Sequence, residues 1–436
     1  MNLIDFKKNK IAIIGLGYVG LPLAVEFSRK FDVVGYDINK IKIDNLKKQK
    51  NISEISKKDF RQIKSIKITS EKKFLKNCNI FIITVPTPVH KNNKPNLDLL
   101  IKATRTVAKV LKNNDLIIFE STVYPGTTEE ICVPILEKNS KLVPADKISK
   151  NNKKVFYYGY SPERMNPTDG GHLLKNTNKI ISGCKKNVTR FLKKLYGSII
   201  DASIIETPSI KVAEASKMIE NVQRDLNIAL VNELSIIFNK MGINTLDVLN
   251  AADTKWNFSI FYPGLVGGHC IGIDPYYLAH KARLLKVKSE LILGGRKIND
   301  NMSKYVAKNF LNSLKKNNNI PLSKKRALIM GVTFKENCPD VRNSKVMDLY
   351  KHLKSKGLMV DLYDPVANKE EFLRLYRSKL IRDLKKKSFY DGILVAVRHN
   401  YFRKLGLKKI RECGKKNATL FDLKSVFPKE KTDFRL

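Results

Sequence analysis

Residues Lys10 to Asp37 constrain this chain more than any other segment. They read KIAIIGLGYVGLPLAVEFSRKFDVVGYD: an apolar run of strand type, a glycine turn, an amphipathic stretch at helical spacing, and a second short strand that ends in an acid. Gly15, Gly17 and Gly20 fit G-x-G-x-x-G, and Asp37 stands about 20 residues past the turn. In such a unit Gly15 permits the tight turn, Gly17 lets backbone amides approach a pyrophosphate, and Gly20 permits close packing of helix on strand. The helix N-terminus offers its positive dipole end to phosphate. Asp37 is then set to accept hydrogen bonds from the adenosine ribose hydroxyls. Its charge repels a 2′-phosphate, so the pattern favours NAD over NADP, a preference softened by Lys40 and Lys42.

Further apolar strands are expected at Ile80 to Val85, Leu116 to Phe119 and Val155 to Tyr160, each followed by a polar turn. Ligands of an open parallel sheet bind beyond the carboxyl ends of its strands, so Thr87, Thr122 and the Ser161 to Arg164 turn face cofactor or substrate. After Ser209 the pattern becomes one long helical run that Gly242 terminates, and Lys217 and Asn221 share a face one turn apart. From Lys325 a second α/β pattern begins, with Lys335, Asp340, Arg342 and Ser344 in place of a glycine fingerprint. Two cations at the carboxyl end of a strand suit a phosphorylated substrate. The fold class is therefore α/β: two Rossmann-like doubly wound domains joined by a long central helix. The expected division is an NAD-binding domain over 1–205, a central helical dimerisation domain over 206–315 and a substrate domain over 316–436.

The 436 residues carry 82 Lys and Arg against 41 Asp and Glu, a formal net charge of +41. Such an excess points first to nucleic acid or an anionic membrane. The lysines, however, are scattered as pairs and triplets such as Lys47-Lys48, Lys385 to Lys387 and Lys415-Lys416, which reads as a solvated surface and argues against a nucleic-acid partner. No long apolar window marks a membrane span or leader, and the expected location is the cytoplasm. The six cysteines lie far apart without a C-x-x-C pair, so neither a metal site nor a disulfide framework is expected. Cys270 stands out, with Gly264, Gly267, Gly268 and Gly272 around it and Asp274 four residues on. That glycine density is expected to let backbone approach a ligand and to uncover the thiol for nucleophilic work. On these residues alone a two-electron hydroxyacid dehydrogenase, in which Cys270 is dispensable, stays open.

The runs GLGYVGLPLA with Asp37, STVYPGTT, SPERMNP, EASKMIEN, GLVGGHCIGIDPYYL and GVTFKENCPDVRNS, in that order across nearly the whole chain, resemble the UDP-glucose/UDP-N-acetylmannosamine dehydrogenase family. The GLVGGHCIGIDPYYLAHKA form is most similar to the branch acting on UDP-N-acetylglucosamine or UDP-N-acetylgalactosamine in Vi-antigen and O-antigen synthesis. The resemblance implies an NAD-dependent four-electron oxidation of the sugar C6 hydroxyl to a carboxylate, with Cys270 as nucleophile. It further implies that Lys217 and Asn221 face the C6 oxygen, that Asp274 assists proton transfer, and that Thr122 and Glu163 position water. It assigns Val19, Asp37, Lys42, Thr87, Thr122, Glu163 and Arg342 to the cofactor, and Ser259, Tyr262, Pro263, Gly267 and Lys335 to the UDP-sugar, with Glu163, Lys217 and Asn221. It also implies a homodimer or higher homo-oligomer. UDP-glucose enzymes commonly carry a lysine where this chain has Ile273, a departure that matches the amino-sugar branch; an arginine is often found where it has Tyr262, so different local substrate contacts are expected there.

Overall fold

Side chains alternate across a strand, and in Lys10–Ile14 that alternation splits one apolar run between two cores: Ile11 and Ile13 enter one cluster, Ala12 and Ile14 the other. A strand buried on both faces belongs inside a parallel sheet covered by helices on each side. In the computed structural model, which describes residues 9–50, 52, 55–90, 92–148, 154–165, 173–268, 270–317, 320–384 and 388–436, this is the arrangement found. His269, Asn166 and Pro167 of the quoted motifs, and the run Lys385 to Lys387, lie outside the described residues.

The first sheet comprises β1 (Lys10–Ile14), β2 (Asp32–Tyr36), β3 (Ile66–Thr69), β4 (Ile80–Ile83), β5 (Leu116–Phe119), β6 (Val143–Pro144), β7 (Val155–Tyr160), β8 (Lys179–Gly183) and β9 (Ile204–Glu206). Its order is β3-β2-β1-β4-β5-β7-β8-β9, with β6 beside β7. All neighbours are parallel except β7 and β8. The order reverses between β1 and β4, the position at which an open α/β sheet takes its ligand. Strand β4 ends two residues earlier than the sequence run, and the Thr84 hydroxyl donates to the Gly15 carbonyl at 2.7 Å.

The second sheet repeats the plan with β10 (Arg326–Met330), β11 (Met359–Tyr363), β12 (Tyr390–Val395) and β13 (Gly414–Asp422), in the order β11-β10-β12-β13 and all parallel. The repetition extends to atoms. Gly15 (φ +99°) donates its amide to Tyr36 O and Leu16 N donates to Asp37; Gly331 (φ +90°) donates to Tyr363 O and Val332 N donates to Asp364. The second fingerprint acid is however already engaged. Asp364 accepts four backbone amides, from Val332, Thr333, Val366 and Ala367, and its Oδ2 lies 3.2 Å from the Nε2 of fully buried His399. No acceptor is left there for a ribose, so the second unit is built to take a different ligand from the first.

The long helix spans Ile210–Met241, 32 residues and about 48 Å at 1.5 Å per residue. Gly242 (φ +72°) ends it, with Ile243 N donating back to Phe238 O at 2.9 Å, a Schellman closure. The chain forms two compact units, Met1–Glu220 with Tyr276–Lys286 and Asn221–Pro275 with Val287–Leu436. No helix among the described residues is long and apolar enough to cross a membrane.

Candidate active site

In the first unit the glycine turn divides its labour as expected. A Cβ on Gly20 would lie 1.8 Å from Gly15 O, whereas one on Gly17 would meet nothing within 4 Å. Gly20 therefore serves helix-on-strand packing, and Gly17 leaves open space above the turn. Val19 precedes the helix Gly20–Phe27, and Lys42 lies in the first turn of the helix Lys40–Lys47 with its amide on the Asn39 cap. The Asp37 carboxylate is oriented by Leu16 N on one oxygen and Asn39 N on the other. The open turn, the helix N-terminus behind it and a fixed carboxylate at the end of β2 fit the phosphates and ribose of a dinucleotide.

The loops after β4 and β5 are tied together. Ser121 donates to Val85 O and Thr87 donates to Thr122 O, both at 2.6 Å, while the buried Tyr277 hydroxyl donates to the carbonyls of Thr87 and Pro88. Thr87 and Thr122 thus come together at the strand ends. Beneath them, buried Glu214 of the long helix receives the amides of Gly126 and Thr128 and fixes the STVYPGTT turn. Burial pushes the Glu214 carboxyl up to about 7 against the pull of those amides. Lys217 is buried one turn further along the same helix.

Glu163 follows β7. Its Oε1 accepts the amides of Arg164 and Met165, and its Oε2 faces Lys179 Nζ at 3.5 Å. Sequence reasoning missed Lys179 and its partner Glu120, which meet at 2.6 Å although 59 residues separate them. The available signal was a carboxylate placed directly after the fully buried strand Leu116–Phe119, a position that demands a buried partner.

In the second unit Asn221 Nδ2 donates to Asp274 Oδ2 at 2.5 Å, and Asp274 N donates to Cys270 O at 2.9 Å. Of the six cysteines, Cys270 is the exposed one. Burial pushes Cys132 and Cys184 up to about 12 and Cys78 to about 11, which keeps those thiols inert. The thiol is uncovered as expected, but three of the four glycines around it, Gly264, Gly267 and Gly268, serve a different purpose from ligand approach. Their close neighbours are the chain itself: a Cβ would meet Lys424 at Gly264, the Asn343 carbonyl at Gly267 and the Phe334 ring at Gly268. They dock the cysteine loop on the loops of the second sheet, and buried Asn232 clamps Gly264 from both sides of its peptide.

A cavity of about 500 Å³ is lined by Tyr262, Pro263, Thr333, Lys335, Arg398 and Lys424. Tyr262, Pro263 and Lys335 were read from sequence; Arg398 and Lys424 were not, since nothing distinguishes them among 82 basic residues. Lys424 reaches Pro263 O at 3.2 Å, and burial draws its ammonium below its ordinary value. Ser259 is exposed four residues before Pro263, and Arg342 forks onto Asp340. Three cations around one cavity suit a diphosphate.

Three models of the UDP-glucose/GDP-mannose dehydrogenase family match in order: its NAD binding domain over residues 9–200, its central domain over 211–301 and its UDP binding domain over 328–429. The chain belongs to this family. It is an NAD-dependent oxidoreductase that takes a UDP-sugar. It is 49% identical over 429 residues to a UDP-N-acetyl-D-glucosamine 6-dehydrogenase of Salmonella typhi, covering 98% of both chains. It is 46% identical over 431 residues to an enzyme of the same name from Pseudomonas aeruginosa, covering 99% of this chain and 100% of the other. Among solved structures, a UDP-D-ManNAc dehydrogenase from Pyrococcus horikoshii superposes with a TM-score of 0.85 at 31% identity, covering 98% of each chain.

Proposed function

We propose that this dehydrogenase oxidises the C6 hydroxyl of UDP-N-acetylglucosamine or UDP-N-acetylgalactosamine to the carboxylate, supplying a uronic acid for surface polysaccharide. The observation that carries the reading is Cys270, the one exposed thiol, on a turn whose Asp274 is held by Asn221. An exposed thiol on the same turn as an acid held by an amide suits a four-electron oxidation, where a two-electron one requires no thiol. The 49% and 46% identities to UDP-N-acetyl-D-glucosamine 6-dehydrogenases support the amino sugar as substrate.

The Gly15 to Gly20 turn and Asp37 would hold NAD, which would supply the hydride acceptor for each oxidation. Lys335, Lys424 and Arg398 hold the diphosphate of the substrate, while Tyr262 and Pro263 bound the sugar side. Loss of a hydride and a proton converts the C6 alcohol to the aldehyde. The Cys270 sulfur adds to that carbon, and its proton, relayed by Asp274, ends on the former carbonyl oxygen, giving a neutral thiohemiacetal that keeps the aldehyde from escaping. A second loss of hydride and proton gives the thioester. Water, oriented by Thr122 and the Glu163 carboxylate, then hydrolyses it to the carboxylate and restores the thiol. Lys217 and Asn221 stabilise the negative charge that gathers on the C6 oxygen at each addition.

Turnover of a panel of UDP-sugars tests the substrate. UDP-N-acetylglucosamine or UDP-N-acetylgalactosamine is expected to exceed UDP-N-acetylmannosamine and UDP-glucose in kcat/KM by at least about tenfold, the scale of one pocket contact. Preference for either of the latter two overturns the assignment.

Both ligands belong to cytoplasmic pools, and there we locate the enzyme. We retain the division 1–205, 206–315 and 316–436, which the three family matches support. We also propose a homodimer formed along the long helix. Val212, Ile219, Leu230, Ile237 and Met241 are all exposed, and at 100° per residue they form one narrow stripe. Leu230→Asp with Ile237→Asp is expected to convert a dimer to a monomer in sedimentation at micromolar concentration; a monomeric parent protein contradicts the proposal.

A further inference from the structure

We propose that Lys179 is a positioning residue that aims Glu163, with Glu120 and Tyr196 anchoring the lysine from behind; this rests on the role given to Glu163 above. Lys179 begins β8, and its side chain is 3% exposed. Its ammonium lies 2.6 Å from Glu120 Oε2 and 3.5 Å from Glu163 Oε2. The Tyr196 hydroxyl donates to Glu120 Oε1 at 2.5 Å, and its ring lies 5.2 Å from the same ammonium. Four groups from four elements thus meet out of water: the turns after β5 and β7, the start of β8, and the helix Lys186–Gly197.

The asymmetry within the cluster is informative. Glu120 is fully satisfied, by Lys179 on one oxygen and Tyr196 on the other. Glu163 is satisfied on Oε1 by two amides of its own turn, but its buried Oε2 has no hydrogen-bond partner among the described residues. A structural salt bridge would close on both carboxylates. Here the lysine is drawn tightly to Glu120 and stands 3.5 Å from Glu163 Oε2, which it faces without closing a hydrogen bond, so the ammonium acts on Glu163 through its field and leaves the carboxylate free to turn toward water. Arg164 is occupied elsewhere, on Glu220 at 2.7 Å and on Asn178 O, so among the described residues Lys179 is the cation paired with Glu163. Burial draws Lys179 down, but Glu120 and Glu163 more than offset it, so the ammonium stays charged. Burial raises Glu120, against the opposing pull of Lys179.

Two substitutions test this with opposite signs. Lys179→Met leaves two buried carboxylates facing each other, so the acid limb of the kcat profile is expected to move to higher pH by a unit or more, with kcat at neutral pH down about 10²-fold. KM for NAD and for the UDP-sugar should hold, and Lys179→Arg should recover most of the loss. Glu120→Gln releases the ammonium to Glu163 alone, and the acid limb is expected to move to lower pH. A network that merely stabilises the fold lowers the melting temperature in both variants and shifts neither limb, and that result overturns the inference. If Lys179→Met fails to fold, the Glu120→Gln shift decides alone. Glu163→Gln separates the two claims: unchanged kcat removes the role of Glu163, whereas a large loss there with unmoved limbs in the other variants removes only the role of Lys179.

Discussion

Cys270→Ser is expected to fold as the parent does and to form no uronate. The side chain is exposed, so exchanging sulfur for oxygen costs little in packing. The reaction, in contrast, loses its covalent step. A serine hydroxyl at neutral pH is a far weaker nucleophile than a thiol, and an aldehyde that is not captured has no route to the second oxidation. Uronate formation should fall by at least about 10³-fold, a conservative figure beside the roughly 10⁶-fold that loss of a nucleophile costs in a hydrolase. Uronate formation within tenfold of the parent would remove Cys270 as nucleophile. Alkylation gives a parallel measure: burial covers Cys78, Cys132, Cys338 and Cys413 and half-covers Cys184, so one thiol per chain should react with iodoacetamide.

The second large effect separates two glycines three residues apart. Gly20→Ala puts a methyl group 1.8 Å from the Gly15 carbonyl and 2.4 Å from the Thr84 hydroxyl. The first of these is backbone and cannot swing away. Helix Gly20–Phe27 must lift from β1, at a cost of about 3 kcal/mol or more, and the first unit is expected to lose its cooperative melting transition. Gly17→Ala meets no neighbour within 4 Å and should melt as the parent does. Its methyl group instead occupies the approach of the pyrophosphate, so NAD affinity should fall at least about tenfold while UDP affinity holds. Calorimetry and titration of both variants check this. Equal stability of the two would show that the Gly20 contact is relieved by a shift of the turn.

Most of the architecture was legible because its signals are local. The apolar runs at Lys10–Ile14 and Leu116–Phe119 are buried on both faces in the structure. Gly242 closes the long helix where its position predicted. The cluster behind Glu163 was not legible, since Glu120 and Lys179 meet only through the pairing of β5, β7 and β8. Arg398 and Lys424 were hidden by the chain's own basicity, and only the fold selects them. The glycines around Cys270 mark an exposed thiol, as their density suggests, but three of them do so while packing on the chain. Glycine signals close approach, but sequence does not say to what, and at Gly264, Gly267 and Gly268 the answer is the chain itself. In the second unit the acid after β11 repeats Asp37 in place but not in use, because His399, 35 residues away in sequence, covers it.

The central claim is a four-electron oxidation carried on one cysteine. The most direct measurement counts NADH against product in a single reaction with UDP-N-acetylglucosamine or UDP-N-acetylgalactosamine, the product identified by mass. Two NADH per UDP-hexosaminuronate, with no aldehyde released, is the predicted result. One NADH per sugar, with an aldehyde as the final product, would contradict the account.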